Sequence, residues 1–499
     1  MSETTAGYPR SVEARSMPRG GGWPWLAGFG GLGHARHRAP IRRWRTWLAL
    51  ICLVGLGIRL FYLVHWLHPV PVQGDPYYYH EAANLFADGR GWPDPYELRL
   101  SGHYVADAQH PPLTSVLLAI PSLFGFTSFL SHQIFSCLLG VGAIVLVALA
   151  GRRVAGPATG LVAAGLAAVY PGMWLNDPLV MSETTGILTC AWLILAACRF
   201  RDRRGRLDAA VLGLALAAVM LARAELALLA FVLVVPLIGL ARGLAWRRRL
   251  GLLALATLTS VLAVVPWTIY NLTRFSEPEY LSTGLGTTLA VTHCPATYYG
   301  EHLGWWSFDC VLALPPAPSE RSERDVFYRH EAMTYLRAHS DRLPVVAAAR
   351  LGRTWGVFHP WQQVRLDAIE LRPIGLSRLG MVTLWAVEVA AAAGVVVLVR
   401  RRQAVLPLVA VPIALSLATV IVYGTTRFRA AAEPALVLLA AVAITAAAQA
   451  LHRRARPGCA VPAYPTSSPD SPALEPASSM ASDRRSGKRT PNVAELTDS

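Results

Sequence analysis

The chain has 499 residues, of which 54% are hydrophobic and 15% are charged, and its formal net charge is +15. Soluble domains carry about a quarter charged residues, so this composition does not fit a soluble domain and favours a multi-span membrane protein. The positive charge is almost all arginine, in short clusters between apolar runs, which indicates membrane topology rather than nucleic-acid binding, and we expect no nucleic-acid partner.

The apolar runs predict an all-α membrane protein, a polytopic helical bundle of about 10 transmembrane helices. Residues 1–46 are rich in Gly, Pro and Arg without periodicity and predict a disordered cytoplasmic arm. The run 47–67 is too long for a cleaved signal and predicts the first span of a transmembrane domain covering 47–451. The tail 452–499 predicts a second disordered cytoplasmic segment. Further spans are predicted at 131–150, 157–173, 180–199, 207–222, 224–241, 250–270, 378–399, 404–423 and 433–451.

The arginine clusters predict the orientation. If the short apolar run 113–126 does not cross the membrane, every cluster falls on the cytoplasmic side, as the positive-inside rule requires. We therefore predict that both termini are cytoplasmic, that the membrane is the plasma membrane, and that the loops 68–130 and 271–377 face outward. The clusters lie at 42–45, 152–153, 199–206, 242–249, 400–402 and 453–456.

The first outer loop contains Asp75 between Gly74 and Pro76. Pro76 suits the first position of a helix, so Asp75 is predicted to be its N-cap, with the following aromatic side chains at headgroup depth. A carboxylate held at the membrane surface also suits a general base that takes a proton from a hydroxyl. Both interpretations stay open, and they are compatible because a cap position fixes a carboxylate in space.

Three further polar residues are candidates on the same outer face. His110 lies at the entrance to the run 113–126, where it either packs against the membrane face or takes part in the site. Glu183 falls one turn inside an apolar helix, and intramembrane acids usually face a cavity. Asp177 precedes it in the same outer turn and has helix capping as its alternative.

Arginines near two other outer turns are candidates for binding an anion. Arg223 either pairs with Glu225 at the turn of a helical hairpin or binds an anionic group. Arg427 and Arg429 precede the last span on the outer side and break the positive-inside pattern, and a guanidinium suits phosphate. One face would thus gather acids and arginines, as a phosphate-linked donor in the membrane and an acceptor hydroxyl outside require.

Cys294 and Cys310 lie in one long polar loop, which allows a disulfide between them if the loop is extracytoplasmic. No spacing of His, Asp or Glu makes a convincing metal site and the sequence indicates no cofactor, while a need for a divalent metal stays open.

The ordered set of these motifs resembles the polytopic glycosyltransferases of the GT-C fold. The chain is most similar to the bacterial glycosyltransferase family 39 group, which is related to the protein O-mannosyltransferases and to the lipid A aminoarabinose transferases. The loop 292–310 resembles a segment of actinobacterial members. The resemblance covers roughly 45–450 and rests on GDPYY at 74–78, HPPL at 110–113, GRR at 151–153, MSE at 181–183, PW at 266–267 with Asn271, and TRFR at 426–429 with Pro434.

The resemblance implies transfer of a hexosyl or pentosyl group from a polyprenyl-phosphate-linked donor to a protein, lipid or cell-wall glycan hydroxyl on the outer face of the plasma membrane. It implies that Asp75 is the catalytic base of an inverting transfer and that the second acid of the family corresponds to Glu183 or Asp177. The alternative is a transporter or flippase of an anionic lipid or sugar, with functional charges near the bilayer midplane. The residues expected to bind substrate are Glu183, Asp177, His110, Arg223, Arg427 and Arg429.

Overall fold

A computed structural model describes residues 38–66 and 73–454, with side chains from Arg42 onward. Most of the predicted arm 1–46 and of the predicted tail 452–499 lies outside the described residues. The described part is helical, with one isolated β-bridge between Pro93 and Ala106 and no strand. The predicted all-α membrane bundle is confirmed.

The first half of the chain alternates long and short helices. The first helix begins at Arg38, inside the predicted arm. Trp44 of this helix is buried, and its indole Nε1 donates to the carbonyl oxygen of Pro157 at 3.0 Å. A 3₁₀ turn at Asp177–Leu179 follows the seventh helix. In chain order the helices are α1 (Arg38–Trp66), α2 (Asp75–Ala87), α3 (Pro95–Ser101), α4 (Leu113–Leu123), α5 (Phe129–Ala155), α6 (Pro157–Val169), α7 (Pro171–Trp174), α8 (Ser182–Arg203) and α9 (Arg206–Ala222).

The second half contains the long loop that is predicted to face outward, and the last spans. A 3₁₀ segment (Ala224–Leu228) and a π-helical segment (Ala230–Val234) lead into the tenth helix, and 3₁₀ turns occur at Ser340–Arg342, Asp367–Glu370 and Ala430–Ala432. The helices are α10 (Val235–Gly239), α11 (Trp246–Leu272), α12 (Leu285–Ala290), α13 (Pro295–Tyr298), α14 (Asp309–Leu312), α15 (Arg321–Ala338), α16 (Leu343–Thr354), α17 (Pro360–Leu366), α18 (Ile374–Arg400), α19 (Leu406–Ile421), α20 (Thr426–Arg429) and α21 (Glu433–Arg454).

Every apolar run predicted to span the membrane is largely helical. Among the described residues, 6 helices are long and apolar enough to cross a membrane, or 7 if the bent pair Pro157–Val169 and Pro171–Leu179 is one span. The chain is therefore a multi-pass membrane protein, and the number ten stays a prediction.

Small residues let the long helices approach closely. A Cβ on Gly213 of α9 would overlap the carbonyl oxygen of Ala256 on α11, and one on Gly394 of α18 would overlap that of Leu439 on α21. Lipid tails supply no hydrophobic driving force between helices, so such close backbone packing stabilises membrane bundles.

The helix after the first span is more buried than its sequence predicts. α2 begins at Asp75, its N-cap residue is Gly74, and no side chain caps it, so the predicted cap is wrong. Tyr78 and Tyr79 are only 5% and 1% exposed, so they face protein and not lipid headgroups, while their depth in the membrane stays a prediction. They lie in a protein core against α4, where the Tyr78 hydroxyl donates to Oδ2 of Asp107 at 2.6 Å.

Candidate active site

Arg427 lies at the centre of a cluster of carboxylates. It is in the short helix α20, where its backbone N–H donates to Oγ1 of Thr425. Its Nε donates to Oε1 of Glu183 at 2.6 Å, its Nη1 to Oε1 of Glu370 at 3.1 Å and its Nη2 to Oδ2 of Asp75 at 2.6 Å. The structure thus joins three residues that the sequence singles out and adds Glu370 to them.

Asp75 is held at the start of α2 by its neighbours in the chain and in space. Gly74 has φ +80, a left-handed conformation that glycine adopts without strain. Nε2 of His110 lies 3.5 Å from Oδ1 of Asp75, on the oxygen that Arg427 does not contact. Burial raises the pKa of Asp75, but the charge of Arg427 and the contact with His110 outweigh it, so the pKa lies well below the usual range. Asp75 is therefore ionised at neutral pH.

Arg223 forms a second layer behind Glu183. Its Nη1 donates to Oε1 of Glu183 at 3.2 Å and to Oγ of Ser182 at 3.3 Å, and its Nε donates to Oε1 of Glu225 at 2.6 Å. The guanidinium lies 5.1 Å from the ring centroid of Phe428, a cation–π distance. The predicted pairing with Glu225 is present, and the same arginine also fixes the acid that holds Arg427.

Glu370 and Arg372 were missed by the sequence analysis. Glu370 ends the 3₁₀ turn before α18, and Arg372 donates through Nη1 to Oγ1 of Thr426 at 2.7 Å, which in turn donates to Oδ2 of Asp367 at 2.7 Å. Burial raises the pKa of Glu370 to about 6, although Arg427 and Arg372 oppose the shift. The available signal was an acid and an arginine placed directly before an apolar span.

Asp177 has other partners than Arg427. Its Oδ2 accepts from Nε of Arg59 at 2.6 Å and its Oδ1 accepts from Oγ1 of Thr184 at 2.8 Å, and both charged side chains are fully buried. A Cβ on Gly140 would overlap its carboxylate. Asp177 therefore ties α1 to the start of α8, and Arg59 is a partner that the sequence analysis did not single out.

Arg429 likewise does not join the cluster around Asp75. Its Nε donates to Oε1 of Glu433 at 2.8 Å and its Nη1 to the carbonyl oxygen of Thr354 at 2.9 Å. Although it is two residues from Arg427, its hydrogen bonds lie at the start of the last helix, where they fix α21 against α16.

The long loop between α11 and α18 contains the disulfide between Cys294 and Cys310 that the sequence allowed. Trp305 and Trp306 pack against each other with ring centroids 4.6 Å apart inside this loop. Among the residues that the structure describes, no group of three or more His, Cys, Asp or Glu side chains is arranged to hold a metal ion.

Within the described residues, the cluster combines the two properties that group transfer from a phosphate requires. Asp75 and His110 are potential proton acceptors, and the guanidinium of Arg427 can bind a phosphate. Glu183 and Glu370 hold that guanidinium in place from two other sides.

Two comparisons used the amino-acid sequence. A sequence-family model described as dolichyl-phosphate-mannose-protein mannosyltransferase matches residues 109–270, roughly a third of the chain. Comparison with the sequences of curated proteins found no match.

Solved structures of low sequence identity were also compared with the chain, and one of them reaches a TM-score of 0.50. The Archaeoglobus fulgidus oligosaccharyltransferase tethered to an acceptor peptide has 16% identity and a TM-score of 0.50, over 83% of this chain and 50% of that one. The same oligosaccharyltransferase in complex with an inhibitory peptide and a dolichol-phosphate has 16% identity and a TM-score of 0.49, over 83% of this chain and 51% of that one. ArnT from Cupriavidus metallidurans bound to undecaprenyl phosphate has 17% identity and a TM-score of 0.40, over 82% of this chain and 79% of that one.

The chain spans about half the length of the archaeal structures. The predicted resemblance to GT-C glycosyltransferases is confirmed. The actinobacterial subtype stays a prediction.

Proposed function

We propose that the chain is a membrane glycosyltransferase that moves a sugar from a polyprenyl-phosphate-linked donor to an acceptor hydroxyl on the outer face of the plasma membrane. The observation that carries the proposal is the 2.6 Å contact between the guanidinium of Arg427 and the carboxylate of Asp75. It places an anion-binding group beside a candidate base. The family model that matches 109–270 is described by a dolichyl-phosphate sugar donor, which supports a lipid-linked substrate.

The proposed reaction is a single displacement at the anomeric carbon. Asp75 takes the proton of the acceptor hydroxyl, while the oxygen of that hydroxyl forms the new bond to the anomeric carbon. The bond from that carbon to the phosphate oxygen breaks, and the phosphate leaves with the electron pair. Arg427 stabilises the developing charge on the phosphate, and attack from the opposite side of the sugar inverts the anomeric configuration.

Donor binding would also activate the base. Without donor, Arg427 holds Asp75 in an ion pair that makes it a weak base. A phosphate that takes over the guanidinium would weaken that pair, so the pKa of Asp75 would rise towards its usual value. Glu183 and Glu370 would keep Arg427 in place during the exchange.

The test is transfer of radiolabel from a polyprenyl-phosphate-sugar pool to a membrane acceptor fraction by the purified protein. Asp75→Asn keeps the shape of the side chain but removes the base, so we expect loss of transfer by at least about a hundredfold. Asp88→Asn, at the exposed end of the same helix, is the matched control. Full activity of a folded Asp75→Asn protein would show that the mechanism is wrong.

Arg427→Ala tests the phosphate contact separately. Loss of a charge-assisted contact predicts a donor KM raised about tenfold to a hundredfold, with Arg427→Lys in between because lysine binds as a point charge. If Arg427→Ala instead abolished accumulation of the protein, the role of Arg427 would be structural. A transporter reconstituted in vesicles would move labelled lipid from one leaflet of the bilayer to the other without forming a glycosylated product.

A further inference from the structure

The segment that precedes Arg427 is held by a buried arginine of the outer loop. α19 ends at Ile421, and the carbonyl oxygens of Val420 and Ile421 accept from Nη1 of Arg350 at 2.8 and 3.0 Å. The last carbonyls of a helix have no partner within the helix and carry partial negative charge, so a cation stabilises them. Arg350 therefore fixes the end of α19 at the point where the chain turns towards α20.

The same segment is bound to the disulfide-closed loop, which we define as residues 292–310, that is, the loop closed by the Cys294–Cys310 disulfide together with the two residues before it. Nη2 of Arg350 donates to the carbonyl oxygen of Thr292 at 2.9 Å, and the N–H of Gly424 donates to the carbonyl oxygen of Gly304 at 2.8 Å. A Cβ on Gly424 would overlap the carbonyl oxygen of Arg350, so the two backbones are in direct contact. One connection passes through the guanidinium and the other is direct.

Burying the charged side chain of Arg350 costs free energy, which would not be needed if the position served packing alone. It is 1% exposed, and its hydrogen bonds within the described residues all go to carbonyl oxygens. Burial lowers the pKa of Arg350 to about 10, so it stays charged at neutral pH. A buried charge without an opposite charge is expensive, and an apolar side chain would fill the space at lower cost.

We infer that Arg350 is a positioning residue, which together with the disulfide-closed loop fixes residues 420–425 and through them the guanidinium of Arg427. The link is short, because Thr425 ends this segment and its Oγ1 accepts from the N–H of Arg427. The inference rests on the proposed function, since it gives the outer loop a role in setting how Arg427 meets the donor phosphate.

The first test does not use activity. Hydrogen–deuterium exchange of the full chain in detergent should show the 420–428 amides, including Gly424, exchanging at least tenfold faster in Arg350→Met than in the wild type. Arg350→Lys, which keeps the charge with fewer donors, should lie between them. Arg342→Ala is the matched control, because Arg342 donates to the carbonyl oxygen of Tyr298 in the same loop. It should leave the 420–428 exchange unchanged.

The second test measures the donor KM in the transfer assay. We expect Arg350→Met to raise the donor KM about tenfold and to change kcat less, with partial rescue in Arg350→Lys and less than a twofold effect in Arg342→Ala. Replacing both Cys294 and Cys310 by alanine should raise the 420–428 exchange and the donor KM in the same direction.

The outcomes separate the two proposals. A wild-type protein that transfers no sugar would overturn the proposed function, while the exchange data would still decide whether Arg350 holds 420–425. Unchanged exchange in a folded Arg350→Met or Arg350→Lys protein would overturn the inference. Faster exchange with an unchanged donor KM in an active enzyme would also overturn it, because the held segment would then not position Arg427.

Discussion

Glu370, one of the acids that contact Arg427, changes between its protonated and ionised forms at mildly acidic pH. Burial raises its pKa to about 6, so Glu370 is ionised at pH 7.5 and largely protonated at pH 5. For an acid with a raised folded-state pKa, the stability that it contributes is present below the unfolded value near 4.5 and is lost as pH rises through 6. When acidification protonates Glu370, its negative charge is lost, and the positive charge of Arg427 is then neutralised by fewer carboxylates.

This titration predicts a pH dependence of donor binding. Between pH 7.5 and pH 5.5 the donor KM should fall about threefold to tenfold, because Arg427 then faces one carboxylate charge fewer. Glu370→Gln should have a low donor KM at both pH values and should lose this part of the dependence. The measurement is a pH series of donor KM.

The control for this series is Glu301→Gln, which alters an exposed acid of the same outer loop. It should retain the wild-type pH profile. A Glu370→Gln enzyme with the wild-type profile would show that Glu370 does not control the charge of Arg427.

At the residue scale, the sequence identified side chains that break a pattern. Glu183 and Arg427 stood out because each is charged beside an apolar run, and the structure brings both to Asp75. Glu370 did not stand out, because it lies in a loop with many other charges. The predicted cap at Asp75 failed because an arginine 352 positions away competes for the carboxylate with the local backbone.

Helix contacts in this bundle depend on glycines that admit a neighbouring backbone. A Cβ on Gly213 of α9 would overlap the carbonyl oxygen of Ala256 on α11, whereas Gly251 of α11 has open space where a Cβ would go. The two glycines thus differ in surroundings although both are in long apolar helices.

This difference predicts opposite results for one substitution. Gly213→Ala should destabilise the fold by ~1–3 kcal/mol, because α9 and α11 must separate to admit the methyl group. Gly251→Ala should leave stability unchanged or raise it slightly, since alanine favours a helix. Thermal unfolding in detergent measures both, and equal melting temperatures for the two variants would contradict the α9–α11 packing.

At the element scale, apolar length predicted the helices well and their ends less well. The run 113–126 became α4, which ends at Leu123, and the run 224–241 became a succession of 3₁₀, π and α turns. Hydropathy reports burial in lipid or protein but carries no information on hydrogen-bond pattern, so irregular turns within apolar runs are not visible in it.

At the scale of the whole molecule, the candidate site and an arginine cluster lie at opposite ends of the bundle helix α8. In α8, Glu183 lies in the first turn and Arg201 and Arg203 lie in the last, so candidate site and arginine cluster are at opposite ends of one 22-residue helix. At 1.5 Å per residue this helix is about 30 Å long, the thickness of a bilayer core. The arrangement fits the predicted orientation with the candidate site outside.

Cysteine labelling in intact cells tests this orientation. Tyr280→Cys, at an outer-loop position that is 64% exposed, should react with a membrane-impermeant maleimide without permeabilisation. Arg401→Cys, in the exposed turn after α18, should react only after permeabilisation. Both variants are made with Cys459, a cysteine of the predicted cytoplasmic tail, replaced by serine so that it is not labelled. The reverse pattern would show that the orientation is wrong.

The contacts of Arg427 also set an order for assembly in the membrane. Its carboxylate partners lie 352, 244 and 57 residues earlier in the chain, so all of them are synthesised before it. Until α20 and α21 are made, Asp75 and Glu183 lack their shared counter-charge. The site therefore forms only when α20 and α21 dock. In a chain that stops before residue 427, Asp75 would lack its arginine partner, whereas Glu183 would keep Arg223.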